Sequence, residues 1–436
     1  MKPVNQTALI LLLVGILFIA QTRADTWFKL ENSHFTMYTP VREKTARELF
    51  LELEGFRALV LNFVNIDIPP DTEKVKIVLF KNIGDFRKYS WSNDIAGYVI
   101  PTDKSAVIVQ PARTWGLDST NIIYHEFVHT LLRYYPRKLP SWYNEGLAEL
   151  FGATKYSNGK FEVGIAPKDR LMSWVYGGKL ASFDDIVADK YRTHRPGYYE
   201  DPYVQYWMLA HYLEFDSKER KKDLAFYLLL YNDGMDSLEA FRTAFKQSPD
   251  EFWRNELKRY IGRGRIHALR VEIRPELSDR TITFNEADTR EVEGSLLLLR
   301  AYAANVALYR KDYRKGHELL NKLTSNLNPE YDKHLSIINN IVWLLSTNPD
   351  EQIRDGKEAV RMGELYIKGK TENIIYLDTL AAAYAEAGRF DEAVQLQTEL
   401  VSGLEDNDDR YADFSERLKR YQSNKPWHSK EESPTL

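Results

Sequence analysis

The stretch His125-Glu126-Phe127-Val128-His129, with Trp142-Tyr143-Asn144-Glu145-Gly146-Leu147-Ala148-Glu149 shortly after it, decides how the rest of the chain is read. On a helix, His125 and His129 stand four residues apart, so both imidazoles leave one face, about 6 Å apart along the axis. Two ring nitrogens so placed can meet one cation at about 2.0–2.1 Å. Glu126 points about 100° away, beside such a cation rather than onto it, where a carboxylate can take a proton from an attacking water. Glu145 and Glu149 share one face of a second helix, among Trp142, Leu147 and Leu150. Carboxylates buried in such company need partners. One of them can complete a three-ligand zinc site with an open fourth position, and one can fix the outer nitrogen of a ligand histidine.

Composition narrows the alternatives. The 436-residue chain has no cysteine, which excludes disulfides, thiolate nucleophiles and cysteine-ligated metals, so a metal must rest on carboxylates and the nine histidines. Lys+Arg 59 against Asp+Glu 63 gives a net charge of −4, with no basic field to hold nucleic acid. Residues 1–24 read as a secretory signal peptide: Lys2, the apolar run Ala8–Ala20, and small residues at Thr22 and Ala24 before Asp25. An uncleaved anchor is the rival reading. The expectation is an exported protein, periplasmic or secreted if bacterial, with no transmembrane segment after cleavage.

Around the motif, the chain divides by pattern. Residues 25–117 are mixed, with strands expected at His34–Tyr38, Val75–Phe80, Gly97–Ile100 and Ala106–Gln110, and a helix over Glu43–Val64. Ala106–Gln110 is read first as a core strand, and second as an edge that could pair with an extended peptide. Residues 118–264 are mostly helical. Asp118-Ser119 can cap a helix over Thr120–Tyr134, and further helices are expected at Ser141–Gly152, Tyr203–Phe215, Lys221–Tyr231, Ser237–Phe245 and Asp250–Tyr260. Residues 265–290 read as a short β-type connector, 291–422 as helical repeats, and 423–436 as a polar, disordered tail. Ala359 lies 34 residues before Ala393, the period of a tetratricopeptide helix pair, and an insertion is expected at Thr347–Gln352. Leu380, Ala381, Tyr384, Gly388, Phe390 and Ala393 resemble the first helix and turn of that repeat.

The H-E-F-V-H and W-Y-N-E-G-L-A-E elements together resemble a gluzincin metallopeptidase domain of the peptidase-MA type, covering roughly 25–264. The resemblance implies an α+β zincin-like catalytic domain with a mixed sheet and active-site helices, followed by the all-α tetratricopeptide-like domain. It implies one zinc ion per chain held by His125, His129 and Glu145, Glu126 as general base, and Glu149 behind the ligands. Thr130–Asn144, fifteen residues, is shorter than the family's usual spacing, so Glu149 stays an alternative to Glu145 as ligand. No Gly-x-Met-Glu-Asn-type element is present, so recognition of a free N-terminus is not implied. A further donor to the reacting oxygen is expected from a later helix, with Tyr203 the first candidate and Tyr206, His194 and His211 behind it. The leading reading is an exported zinc peptidase acting on a peptide or protein substrate, with a possible protein partner on the repeats. The alternatives are a scaffold with a structural or vestigial zinc site, and a zinc hydrolase of non-peptide amides.

Overall fold

The computed structural model describes residues 25–102, 105–112, 120–167, 171, 180–190, 202–216, 218–263, 266–273, 282–324, 335–405 and 408–429. Residues 1–24, Asp118, Ser119, His194 and 430–436 lie outside them. The architecture is α+β: a mixed sheet and a smaller sheet, with helices throughout and a helical C-terminal region.

The first strands are β1 (Phe28–Glu31), β2 (Phe35–Thr39), β3 (Val75–Phe80), β4 (Tyr98–Pro101) and β5 (Ala106–Pro111). They form one sheet in the order β4-β5-β3-β2-β1, extended at the β1 side by β9 (Thr283–Glu286). β2, β3 and β5 run parallel, while β4 and β1 are antiparallel to their neighbours. Ala106–Gln110 is therefore an interior strand, and the edge belongs to Tyr98–Pro101. The reason is burial: every residue of β5 is buried, which an edge facing water does not require.

Alternation sets which face each side chain serves. Ile77, Leu79, Ala106 and Ile108 join the larger core under helices α1 (Glu43–Val64) and α3 (Thr120–Leu132); α2 is the short helix Ile83–Arg87. Val78, Phe80, Val107 and Val109 face the other way, onto Tyr98, Phe86 and Leu299. Leu299 belongs to the C-terminal region, so that region covers the second face of the sheet.

The middle of the chain supplies α4 (Ser141–Gly152), α5 (Phe183–Val187), α6 (Pro202–His211), α7 (Lys218–Asn232), α8 (Ser237–Phe245), α9 (Pro249–Phe252) and α10 (Lys258–Gly262). The helix expected over Asp250–Tyr260 is interrupted by a π-helical turn at Trp253–Leu257, and a second such turn follows α6 at Tyr212–Asp216. A hairpin, β6 (Lys155–Ser157) and β7 (Lys160–Val163), pairs with β8 (Leu269–Glu272). The stretch expected as a connector is thus built into both sheets, β8 against β7 and β9 against β1.

From Thr289 onward the described residues are helical: α11 (Thr289–Tyr309), α12 (Tyr313–Thr324), α13 (Leu335–Thr347), α14 (Gly356–Tyr366), α15 (Ile374–Glu386), α16 (Phe390–Ser402) and α17 (Tyr411–Gln422). Gly316, Ala359 and Ala393 each take the fourth position of α12, α14 and α16, and each is buried. Asn348–Asp355 joins α13 to α14 where only Ala387–Arg389 joins α15 to α16, which places extra chain at the expected insertion. The tail differs from expectation over 423–429. Trp427 packs on Trp343 with ring centroids 5.5 Å apart, His428 Nε2 lies 2.7 Å from a Glu386 oxygen, and the Ser429 N–H donates to Thr347 O. An aromatic side chain with a partner offsets the ordering entropy that a purely polar tail cannot. Among the described residues no helix is long and apolar enough to cross a membrane.

Candidate metal centre

The site stands where α3 and α4 cross. In α3, Ile123, Tyr124, Phe127, Val128 and Leu131 are buried in the core, which turns His125 and His129 towards α4 and leaves Glu126 exposed. The helix stops at Leu132 because the next residues turn back, with Tyr135 N–H on Leu132 O, and Pro136 offers no donor. Two glycines let α4 approach closely on both sides. A Cβ at Gly152 would lie 3.2 Å from His125 Cβ, and one at Gly146 would lie 2.7 Å from both Tyr206 O and Ala210 Cβ. Trp142 fixes the roll of α4: it is fully buried and its Nε1 donates to Tyr227 Oη at 2.9 Å.

The crossing brings three donor atoms together. His125 Nε2 and His129 Nε2 are 3.1 Å apart, and Glu145 Oε2 lies 3.4 Å from the first and 3.5 Å from the second. Ligands at about 2.0–2.1 Å on the corners of a tetrahedron stand roughly 3.3 Å apart, so this triangle has the size of one face around a zinc-like ion. Glu145 Oε2 is buried and makes no hydrogen bond, an orphan that a cation would satisfy. Among the described residues, His125, His129 and Glu145 are the group that could hold a metal ion.

The outer nitrogens are held as well. His125 Nδ1 lies 3.2 Å from Glu149 Oε1, and His129 Nδ1 lies 3.3 Å from Asn144 Oδ1. With both Nδ1 atoms facing oxygen, both Nε2 lone pairs turn inward. Glu149 thus sits behind a histidine rather than in the triangle. Asn144 was not singled out from the sequence; its only signal is its place one residue before Glu145. The electrostatics favour a cation. Burial would lower the His125 pKa, yet Glu145 and Glu149 hold it up at about 9. Burial would likewise raise that of Glu145, but His125 and His129 pull it down to about 2.

The other expected residues separate clearly. Tyr203, in the first turn of α6, has its ring 6.1 Å from that of His125 and joins the site. Tyr206 packs on Tyr203 at 5.8 Å and is buried behind it. His211 is fully buried away from the metal ligands: its Nε2 donates to Gly164 O and His267 O, and its Nδ1 accepts from Tyr260 Oη. It ties α6 to the segments on either side of it, at Gly164, Tyr260 and His267. Tyr302 of α11 is an unexpected neighbour. Its ring stacks on Tyr98 of the sheet edge at 5.8 Å, and its hydroxyl pKa is raised by burial and by the charge of Glu126.

No protein-family profile matches this chain, and no curated protein is significantly similar to it.

Proposed function

We propose that the chain is a zinc-dependent metallopeptidase of the gluzincin type, with zinc held by His125, His129 and Glu145. The observation that carries the reading is the triangle of donor atoms at 3.1–3.5 Å with an orphaned carboxylate oxygen at one corner. Bound there, zinc would supply a Lewis acid that polarises a carbonyl and brings the pKa of water towards about 7. The protein's own groups do the rest. Glu126, exposed beside the ligands, accepts the proton of the attacking water and returns it to the leaving amine. Tyr203, next to His125, donates to the oxygen on which charge develops. Glu149 and Asn144 hold the two imidazoles in the ligating tautomer.

The surroundings support the same reading. A mixed sheet with an antiparallel edge strand beside the active-site helix suits a zincin-like domain. The matched small residues Gly316, Ala359 and Ala393 support a tetratricopeptide-like array, a surface on which a protein partner could dock. Export follows from the reading of residues 1–24.

The test is Glu126→Gln. Gln keeps the shape and hydrogen bonding but accepts no proton, so zinc should stay near one per chain while hydrolysis of a mixed protein substrate falls about 10²–10⁴-fold. Equal rates in both proteins, with zinc bound, would refute the mechanism.

A further inference from the structure

Beside His129 the surface opens into a bowl of about 670 Å³. Its lining includes His129 and Asn144, on the outer, Nδ1 side of that imidazole, so the bowl borders the candidate metal centre. Its wall is the connection between α3 and α4, the short segment noted in the sequence, and this wall carries Arg133, Arg137 and Lys138. Among the described residues no Asp or Glu lines it.

The wall is held in place. Asn232 at the end of α7 accepts from Lys138 N–H at 2.9 Å and donates to Lys138 O at 3.0 Å, clamping the loop backbone from both sides. The Arg133 guanidinium donates to the carbonyls of Thr102 and Ser105, which orients it without neutralising it. Arg137 and Lys138 are exposed, and no ion pair engages either among the described residues. Glu214, the carboxylate sensed by Tyr135, is already taken by Lys221 and the Tyr143 hydroxyl. Three cations on a fixed rim beside His129 make a positive field over the bowl that borders the candidate metal centre.

The geometry points to a substrate-recognition site in which Arg133, Arg137 and Lys138 receive a carboxylate of the substrate chain on the His129 side of the metal centre. The substrate class is then acidic peptides. The cleavage half of this inference rests on the peptidase reading; the binding half does not. The carboxylate can come from an Asp or Glu side chain or from a chain terminus, and each source has its own arm in the test.

The experiment compares peptides of one sequence bearing Glu, Gln or Lys at each position in turn, with free and amidated C-termini. Cleavage is followed with wild type and with the double variant Arg137→Glu/Lys138→Glu. Binding is followed by fluorescence anisotropy with zinc-loaded Glu126→Gln, alone and combined with the double reversal. Exposed ion pairs contribute modestly, so two of them should give about a 2–30-fold preference for Glu over Gln, falling as salt rises. The double reversal should abolish or invert that preference while the rate on the Gln peptide stays within about 3-fold. A Glu-over-Gln preference that the reversal removes assigns the side chain, whereas a loss of binding on amidation, the same for Glu and Gln peptides and absent from the reversal, assigns the terminal carboxylate. Both residues are exposed, and Arg137→Gln/Lys138→Gln replaces the reversal if the latter alters thermal stability. Cleavage without charge preference, unchanged by either double variant, overturns the inference and leaves the peptidase reading intact. Selective binding of Glu peptides, lost in the reversal, with no cleavage of any peptide, sustains the bowl and refutes the peptidase reading.

Discussion

Gly146→Ala is the most direct test of how the Glu145 carboxylate, proposed as a zinc ligand, is positioned. The added methyl would stand 2.7 Å from Tyr206 O and 2.7 Å from Ala210 Cβ, both on α6. That is about 0.7–1 Å short of van der Waals contact, and neither atom is the end of a flexible side chain. Alanine gains about 1 kcal/mol of helix propensity over glycine, while overpacking against rigid neighbours costs about 1–3 kcal/mol. With both contacts rigid, the cost should lie towards the upper end of that range, leaving the variant up to about 2 kcal/mol less stable. The displacement falls on the residue next to Glu145, whose oxygen must stay within about 0.2 Å of its place to keep three ligands on one ion. Zinc affinity should therefore drop by roughly 10–100-fold, the size seen when support behind a ligand is lost. Chelator competition reads the affinity and thermal denaturation the stability. Gly262→Ala, where a Cβ meets nothing within 4 Å, serves as the matched control and should bind zinc as wild type does. Wild-type zinc affinity in Gly146→Ala would refute the claim that this close helix contact sets the site.

Other outcomes follow from the same geometry. Glu145→Ala should leave less than one tenth of a zinc per chain by elemental analysis, whereas Glu149→Ala and Asn144→Ala should each retain metal with about 10–100-fold weaker binding; the reverse order would move the ligand to Glu149. Asp378→Ala strips the buried Arg417 of a partner at 2.9 Å and should cost about 3–5 kcal/mol in chemical denaturation. Trp427→Ala should cost about 1–2 kcal/mol, since its ring packs on Trp343 and under Arg417. Ending the chain at Asp288 should expose Val78, Phe80 and Val109, which Leu299 helps to cover, and give a protein that binds a hydrophobic dye and aggregates on warming.

What the sequence revealed was local. Helical spacing placed His125, His129 and Glu126, because an i, i+4 relation needs no knowledge of the rest of the chain. The glutamates on α4 were legible for the same reason, and the resemblance put Glu145 first as ligand; only the crossing of two helices brings its Oε2 to 3.4 and 3.5 Å from the two imidazoles. What stayed hidden depends on distant partners. Leu269–Glu272 and Thr283–Glu286 resemble any short alternating stretch until β7 and β1 are beside them. Asn144 looks like an ordinary surface amide until His129 turns its outer nitrogen to it. Tyr302 lies far along the chain from Glu126, and no periodicity links them. Trp427 and His428 lie in a tail read as polar and disordered, and their partners Trp343 and Glu386 could not be named from spacing.

The pairing of Phe28 with Glu286 also governs how the molecule comes into being. β1 is made long before β9, so one of its two neighbours is missing until Thr283–Glu286 has been added. Until then its outer row of amides and carbonyls is a template for any passing strand. Sequence-distant closure of this kind slows folding and lengthens the period of exposure. A chain that has not yet added Thr283–Glu286 therefore needs its first strand shielded, wherever it folds, and a fragment ending before Thr283 is where that need would be greatest.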